Sequence, residues 1–317
     1  MKLSLVVPCY NEEENVAAFQ AAVIEAFRDC SYDYETVFVN DGSRDHTELE
    51  LKKLFDRQAC PTKVVCFSRN FGKESGLYAG LQHASGEYIC CIDADLQQRP
   101  EIVRDMVDYL ERHSDCDVVA AYQDKRGDGK VLTFFKTGFY KLINQVSTVK
   151  LRPDASDFRT FRRSVADSIL SMGEYHRFSK GIFAWVGYNT HYIPYTACER
   201  AAGKTKWSFK KLFRYAIGGI IDYSAAPLRI STYMGMLSAL ASLIYLIVVV
   251  IQKLAFGINI PGYATIIVLT LFLGGMQLFC LGLIGEYVGR IFEQSKNRPI
   301  YLCREYLTYE KDENTPV

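Results

Sequence analysis

Tyr88-Ile89-Cys90-Cys91-Ile92-Asp93-Ala94-Asp95-Leu96-Gln97 is the stretch on which the fold turns. Its apolar first half reads as a strand buried on both faces, and such strands belong to parallel sheets covered by helices on both sides. Asp93 and Asp95 then stand just past the carboxyl end of that strand, where ligands bind in open α/β sheets. Two carboxylates one residue apart repel each other, and a hard divalent cation bridging a diphosphate offsets that repulsion. Gln97 adds a neutral oxygen within reach. Many D-x-D triplets are solvated turns; the buried run in front of this one gives it weight.

Working outward, four further β-rich runs (3–7, 35–40, 63–67 and 118–122) join 88–93, with helix-like stretches at 13–29, 47–57, 74–84 and 100–112 between them. This alternation predicts a parallel sheet between helix layers. Each strand end is polar. The first leads into Pro8-Cys9-Tyr10-Asn11-Glu12-Glu13-Glu14, where Asn11 is placed to cap a helix and Glu14 to complete a capping box. The second leads into Asn40-Asp41-Gly42-Ser43 and the third into Ser68-Arg69-Asn70-Phe71-Gly72-Lys73. Neither G-x-G-x-x-G nor G-x-x-x-x-G-K-[ST] occurs at these ends, which weighs against a dinucleotide oxidoreductase and a P-loop enzyme.

Beyond about residue 225 the chain changes character. Residues 234–251 and 254–285 carry no charge, and each stretch is long enough to cross a hydrocarbon core. Two transmembrane helices are expected, at about 232–253 and 262–285. Lys204, Lys206, Lys210, Lys211, Arg214 and Arg229 precede them, Arg290, Lys296 and Arg298 follow, and only Lys253 lies between. The positive-inside rule therefore places the catalytic domain and both termini in the cytoplasm of a multi-pass inner-membrane protein. Phe209, Leu212, Phe213, Ala216, Ile217 and Ile220 recur at helical spacing, which reads as an interfacial amphipathic helix. The expected organisation is a catalytic domain over 1–207, interfacial helices over 208–230, the two spans within 231–289 and a tail over 290–317. Gly274-Gly275 would let helices approach closely, as in a homo-oligomer.

Composition sets outer bounds. A chain of 317 residues, 49% of them hydrophobic, can build one sizeable core. A net charge of +1 argues against a nucleic-acid partner. The ten cysteines are scattered, several inside buried runs, as reduced thiols of a cytosolic domain would be. Cys90-Cys91 has no second pair at metal spacing, so zinc is not expected. His46, His83, His113, His176 and His191 are isolated from one another and read as surface or capping residues. The N-terminal run reads as a strand, not a signal peptide.

Taken together, Pro8-Cys9-Tyr10-Asn11-Glu12-Glu13, Asn40-Asp41-Gly42-Ser43, Asn70-Phe71-Gly72-Lys73, Asp93-Ala94-Asp95-Leu96-Gln97, Ser156-Asp157-Phe158-Arg159 and Arg200-Ala201-Ala202-Gly203-Lys204-Thr205-Lys206-Trp207 resemble the ordered motifs of family 2 glycosyltransferases. The resemblance runs from residue 1 to about residue 303 and is nearest to the polyprenyl-phosphate glycosyltransferases, a group holding dolichyl-phosphate mannose synthase and bactoprenol glucosyltransferases. It implies a GT-A fold and an inverting transfer of a hexose from a nucleotide sugar to a polyprenyl phosphate, such as undecaprenyl phosphate, at the cytoplasmic membrane face. The subgroup implies glucose from UDP-glucose, with mannose from GDP-mannose, or GlcNAc or galactose from UDP donors, as alternatives. By the same resemblance Pro8, Tyr10, Glu12 and Asp41 line the nucleoside pocket with Lys73 near the base. Asp93, Asp95 and Gln97 hold the nucleotide and its Mg²⁺ or Mn²⁺, and Arg200 and Lys206 meet the departing diphosphate.

Asp157 matches the family's acidic residue near the acceptor. A phosphate monoester with a second pKa of about 6 is already ionised near neutrality, so Asp157 is expected to orient groups more than to take a proton. Lys125, Arg126, Lys136 and Lys141 are the candidates for the acceptor phosphate. The chain departs from the family's pattern at Gln123, often an arginine, and at Asn40, commonly an aspartate. A processive polysaccharide synthase would add a Q-x-x-R-W motif and more spans, and this chain has neither. A non-catalytic membrane module would have no need of carboxylates gathered at one rim.

Overall fold

The computed structural model describes residues 2–123, 144–145, 149–150, 152, 155–196, 198, 221, 224, 226–256 and 262–309. Strands β1 (Leu3–Cys9), β2 (Tyr34–Asn40), β3 (Thr62–Phe67) and β4 (Tyr88–Cys91) alternate with helices α1 (Val16–Ala26), α2 (Thr47–Arg57), α3 (Lys73–His83) and α4 (Glu101–Arg112). Then come β5 (Val118–Gln123), β6 (Ala155–Arg162), α5 (Arg163–Ser171), α6 (Ser179–Trp185), β7 (Thr190–Tyr195), α7 (Ala226–Phe256), α8 (Tyr263–Ser295) and β8 (Cys303–Leu307).

All eight strands lie in one sheet in the order β7-β5-β6-β4-β1-β2-β3-β8. β1 pairs in parallel with β2, Cys9 opposite Asn40, and with β4, Val6 opposite Cys91. The carboxyl ends of β1, β2 and β4 therefore share one rim. β6 inserts antiparallel between β4 and β5, with Arg159 opposite Cys91. Because β6 runs backwards, its early residues reach the rim that the parallel strands reach with their ends, and Asp157 arrives there beside Asp93.

The strands are apolar because both faces are covered. Val7, Phe38 and Cys90 pack under α1, α2 and α4 with Phe19, Leu51 and Met106. Val6, Ile89 and Phe161 face the opposite way, against Leu77, Val165 and Ile182 of α3, α5 and α6. Full burial of a side chain this size stabilises by about 1.5–3 kcal/mol. On α3, a Cβ at Gly80 would collide with Val6, so glycine lets that helix lie close on β1.

Three expectations need correction. Helix α1 starts at Val16 with no side-chain cap, and Asn11 does not cap it. Asn11 sits at φ 54° and accepts the Arg44 N–H at 2.9 Å, so its side chain ties two rim loops together instead. The strand expected over 88–93 ends at Cys91, which frees Ile92 and Asp93 for the loop. Residues 303–307, read only as part of the 290–317 tail with no strand assigned, fold back onto the domain. They form β8, antiparallel on β3, because β3 offers an unpaired edge and Tyr301 stacks on Phe67 at 4.7 Å. Tyr309 continues that docking by donating to Glu35 at 2.8 Å, and Glu35 is also ion-paired with the buried Lys63 at 3.2 Å.

Helices α7 and α8 contain two apolar windows, Ala226–Val249 and Thr265–Ser295, with mean hydropathy 1.9 and 2.3 and none of either window buried. Both are long and apolar enough to cross a membrane. The first begins and the second ends several residues outside the charge-free stretches, since a helix continues until its backbone hydrogen bonds are otherwise satisfied. The interfacial helix expected from residue 208 lies outside the described residues up to 220.

Candidate active site

At the end of β2, Asp41 is 3% exposed and its carboxylate is fully engaged. It accepts from the Phe71 N–H at 2.6 Å, the Gly72 N–H at 2.9 Å and the Asn70 amide at 2.8 Å. Gly72 adopts φ 102°, which turns its N–H toward the carboxylate at no side-chain cost. Burial pushes the Asp41 carboxyl up, against those hydrogen bonds. The resemblance puts Asp41 in the nucleoside pocket; in the structure its carboxylate fixes the 70–72 loop and so the first turn of α3. The departure at Asn40 is absorbed locally: its amide oxygen accepts the Ser43 N–H at 3.1 Å.

That first turn carries the centre of the site. The Lys73 ammonium lies 2.7 Å from Asp93 Oδ1 and 3.2 Å from Asp157 Oδ2. Lys73 was expected near the base; the structure sets it between the two rim carboxylates. Burial opposes its charge, but the two carboxylates outweigh burial and raise its pKa. Burial likewise opposes ionisation of Asp157, yet Lys73, Lys180 and Arg159 overcome it and hold the carboxyl at about 2. Such a group is a poor proton acceptor and a firm anion.

Asp93 donates its backbone N–H to Gln98 Oε1 at 3.0 Å, and Asp95 Oδ1 accepts the Gln97 N–H at 3.2 Å. Between them Leu96 takes φ 58°, a costly conformation for a bulky side chain that bends the turn around the carboxylates. Gln97 O accepts the Cys198 N–H at 3.2 Å, so the segment that leads toward Arg200 crosses this turn. Arg200, Lys206, Lys125, Arg126, Lys136 and Lys141 lie outside the described residues. Pro8, Tyr10 and Glu12 are half-buried at or just past the end of β1; Pro8 lies beside Gly76 of α3, and the Glu12 N–H donates to Thr47 Oγ1 at 2.8 Å.

Asp93, Asp95 and Gln97 present hard oxygen donors only, the set suited to Mg²⁺ or Mn²⁺. Among the described residues the one three-ligand cluster of His, Cys, Asp or Glu is Glu48, Cys66 and Glu305. Lys52 already bridges its two carboxylates, and Arg304 pairs with Glu48.

Sequence reasoning passed over Glu74, Ser179, Lys180 and Arg159. Glu74 accepts from the Ser179 N–H at 2.9 Å and from its hydroxyl, which docks α6 onto α3 beside Asp157. Arg159 is 5% exposed and donates to Ser156 O at 2.8 Å. A visible signal was the spacing Asp157-x-Arg159, which puts both on one face of a strand; nothing in the sequence marked Glu74 or Lys180.

Burial, then the charge of Asp157, pushes the Glu74 carboxyl up to about 7, against the bonds from Ser179. A raised carboxylate makes the native state hold a proton that the unfolded chain, at its ordinary value of 4.5, releases, so stability falls as pH rises from there to about 7. Glu74→Gln keeps an acceptor for Ser179 and removes the titration. Its melting temperature relative to the parent is expected to climb between pH 5 and pH 8; a constant difference across that range would contradict the assignment.

Residues 4–170 match the glycosyl transferase family 2 domain, and residues 226–291 match the GtrB C-terminal hairpin. The chain belongs to glycosyltransferase family 2. Its sheet, mostly parallel between helix layers, is the GT-A fold of that family, with the two apolar helices appended. An uncharacterized glycosyltransferase of Synechocystis sp. is 41% identical over 98% of this chain and 99% of its own length. The bactoprenol glucosyl transferase of Shigella phage SfV is 41% identical over 96% of this chain and 98% of its own. The prophage bactoprenol glucosyl transferase homolog of Escherichia coli is 40% identical over 96% and 99%. The likeness therefore spans the catalytic domain and the apolar hairpin together.

Proposed function

We propose that this family 2 glycosyltransferase moves glucose from UDP-glucose onto a polyprenyl phosphate such as undecaprenyl phosphate, at the cytoplasmic face of the membrane its hairpin enters. The observation that carries the reading is the cluster of Lys73, Asp93 and Asp157 at the sheet rim, in a chain alike from end to end to bactoprenol glucosyl transferases. An oxygen of the lipid phosphate attacks the anomeric carbon, and the bond from that carbon to the UDP oxygen breaks with inversion. The electron pair leaves on the diphosphate.

Bound Mg²⁺ or Mn²⁺, held by Asp93, Asp95 and Gln97, would neutralise charge that develops on the leaving diphosphate. Lys73 keeps Asp93 and Asp157 apart in charge and fixed in direction. Asp157, anionic throughout, orients the sugar and the attacking group. Arg200 and Lys206, one following the segment bonded to Gln97, supply positive charge to the departing group. β8 pairs with β3, so the chain returns after α8 to the side on which the catalytic sheet lies, as cytoplasmic termini require.

The test offers a panel of nucleotide sugars to detergent-purified protein with undecaprenyl phosphate and Mn²⁺, followed by mass spectrometry of the lipid. A hexosyl phospholipid from UDP-glucose is expected. A product only from GDP-mannose, UDP-GlcNAc or UDP-galactose would replace the donor, and no lipid product from any donor would remove the reading.

A further inference from the structure

The proposed reaction needs a seat for a lipid phosphate. Between α6 and the β5–β7 edge lies a cavity of about 220 Å³, lined by Lys150, Arg152, Arg159 and Lys180, with no carboxylate among the described residues of its walls. A water occupies about 30 Å³ of liquid, so this space holds a phosphate with room to spare. We infer that this basic cleft seats the phosphate of the polyprenyl acceptor, with the first isoprene units against Phe183 and Tyr188. The inference rests on the function proposed above.

Four features support it. Arg152 lies over the rings of Tyr122 and Tyr192 at 4.7 and 4.2 Å, which holds its planar fork in place before any ligand arrives. Arg159, almost wholly buried, lies 4.0 Å over the Phe183 ring and offers charge where water is scarce. Arg159 also lines the small pocket that contains Asp157 and Glu74, so the cleft and the reaction centre share a wall. Lys180 and Arg159 are close enough to Asp157 to lower its pKa; a phosphate among them would lie beside the sugar.

The cleft is also tied to the apolar helix α8. The last turn of α8 grips the loop before α6: the Tyr175 N–H donates to Gln294 at 2.8 Å, Gln294 donates to Gly173 O at 2.8 Å, and His176 meets Glu293 at 2.5 Å. At the far end of α6, Trp185 is 59% exposed, an aromatic suited to a lipid–water boundary. A free phosphate would use the cations alone; the aromatic wall and this position favour a phosphate that carries a prenyl chain.

The test titrates farnesyl phosphate into the full-length protein in detergent by calorimetry, with farnesol, inorganic phosphate and phosphatidylglycerol as comparison ligands. Lys150→Ala/Arg152→Ala removes two exposed cations at the rim and is expected to weaken farnesyl phosphate at least tenfold. Lys180→Ala should do the same and Lys180→Arg should restore binding, while UDP-glucose affinity with Mn²⁺ stays unchanged in all three. Should Lys180→Ala fail to fold, the rim variant decides alone. Unchanged farnesyl phosphate affinity in the rim variant overturns the inference. Equal competition by phosphatidylglycerol also overturns it, making the cleft a general headgroup site; equal competition by inorganic phosphate makes it a plain anion site and does the same. If binding depends on these cations but no donor yields a glycolipid, the cleft stands and the proposed reaction falls. If the parent protein turns over and the variants bind normally, the reaction stands and the cleft falls.

Discussion

Asp95→Asn is expected to reduce sugar transfer at least about 10³-fold, some 4 kcal/mol of transition-state stabilisation, while leaving the fold unchanged. Asparagine is isosteric and still accepts the Gln97 N–H that Asp95 Oδ1 accepts at 3.2 Å, so the turn around Leu96 keeps its shape. What disappears is one negative charge at the sheet rim. The Lys73 ammonium already compensates part of the charge of Asp93, at 2.7 Å. In the proposed function Asp95 holds a divalent cation together with Asp93 and Gln97 and, through it, the donor diphosphate. Calorimetry of UDP-glucose should show Mn²⁺-dependent binding in the parent and none in the variant, with matching melting temperatures. Near-normal turnover, or donor binding that still responds to Mn²⁺, would defeat the metal assignment.

The parallel half of the sheet was legible because its strands are buried on both faces, and burial on both faces writes an uninterrupted apolar run. Leu3, Val37, Val64 and Ile89 are each completely buried, and each falls within a run visible in the sequence. The two apolar helices were legible for a related reason: a bilayer demands length and lack of charge, which need no tertiary partner. β6 and β8 were not legible. Ala155–Arg162 mixes Asp, Arg and Thr with Phe because one end of the strand builds the site and at the other Arg162 donates to the Cys116 and Leu110 carbonyls. β8 has only β3 beside it and carries an edge strand's polar pattern, Cys-Arg-Glu-Tyr-Leu. Of the site, the D-x-D carboxylates stood out by their chemistry, and Asp157 was singled out through the family resemblance. Lys73 was found, but its bridge to Asp157 was not foreseen, since Asp157 comes from a strand whose direction a sequence does not reveal. Glu74 and Arg159 act through contacts made by folding, with Ser179 and with Phe183; Glu74 belongs to no motif, and Arg159 stood in the Ser156–Arg159 motif without a role.

Asp157→Asn separates an orienting anion from a proton acceptor and from a donor ligand. The carboxyl is held at about 2 despite burial, by Lys73, Lys180 and Arg159. A group that acidic binds a proton poorly at neutral pH, and a phosphate nucleophile has no proton that must be removed. Its value lies in charge and direction: it anchors the Lys73 ammonium at 3.2 Å and stands among cations that also face the cleft. The neutral variant is expected to lose about 10²–10³-fold in kcat, as removal of one preorganised charge-stabilising group does. KM for the donor and its calorimetric affinity should stay within about threefold, because Asp93 and Asp95 remain. Above pH 5 the residual activity should follow the pH profile of the parent, since Asp157 stays ionised throughout that range. A depressed carboxyl contributes stability that is present above its ordinary value of 3.8 and lost as pH falls toward 2, so the variant should melt below the parent at neutral pH and the gap should close in acid. Collapse of donor affinity would place Asp157 in the nucleotide pocket. A variant whose activity recovers steeply with rising pH would make it a base after all.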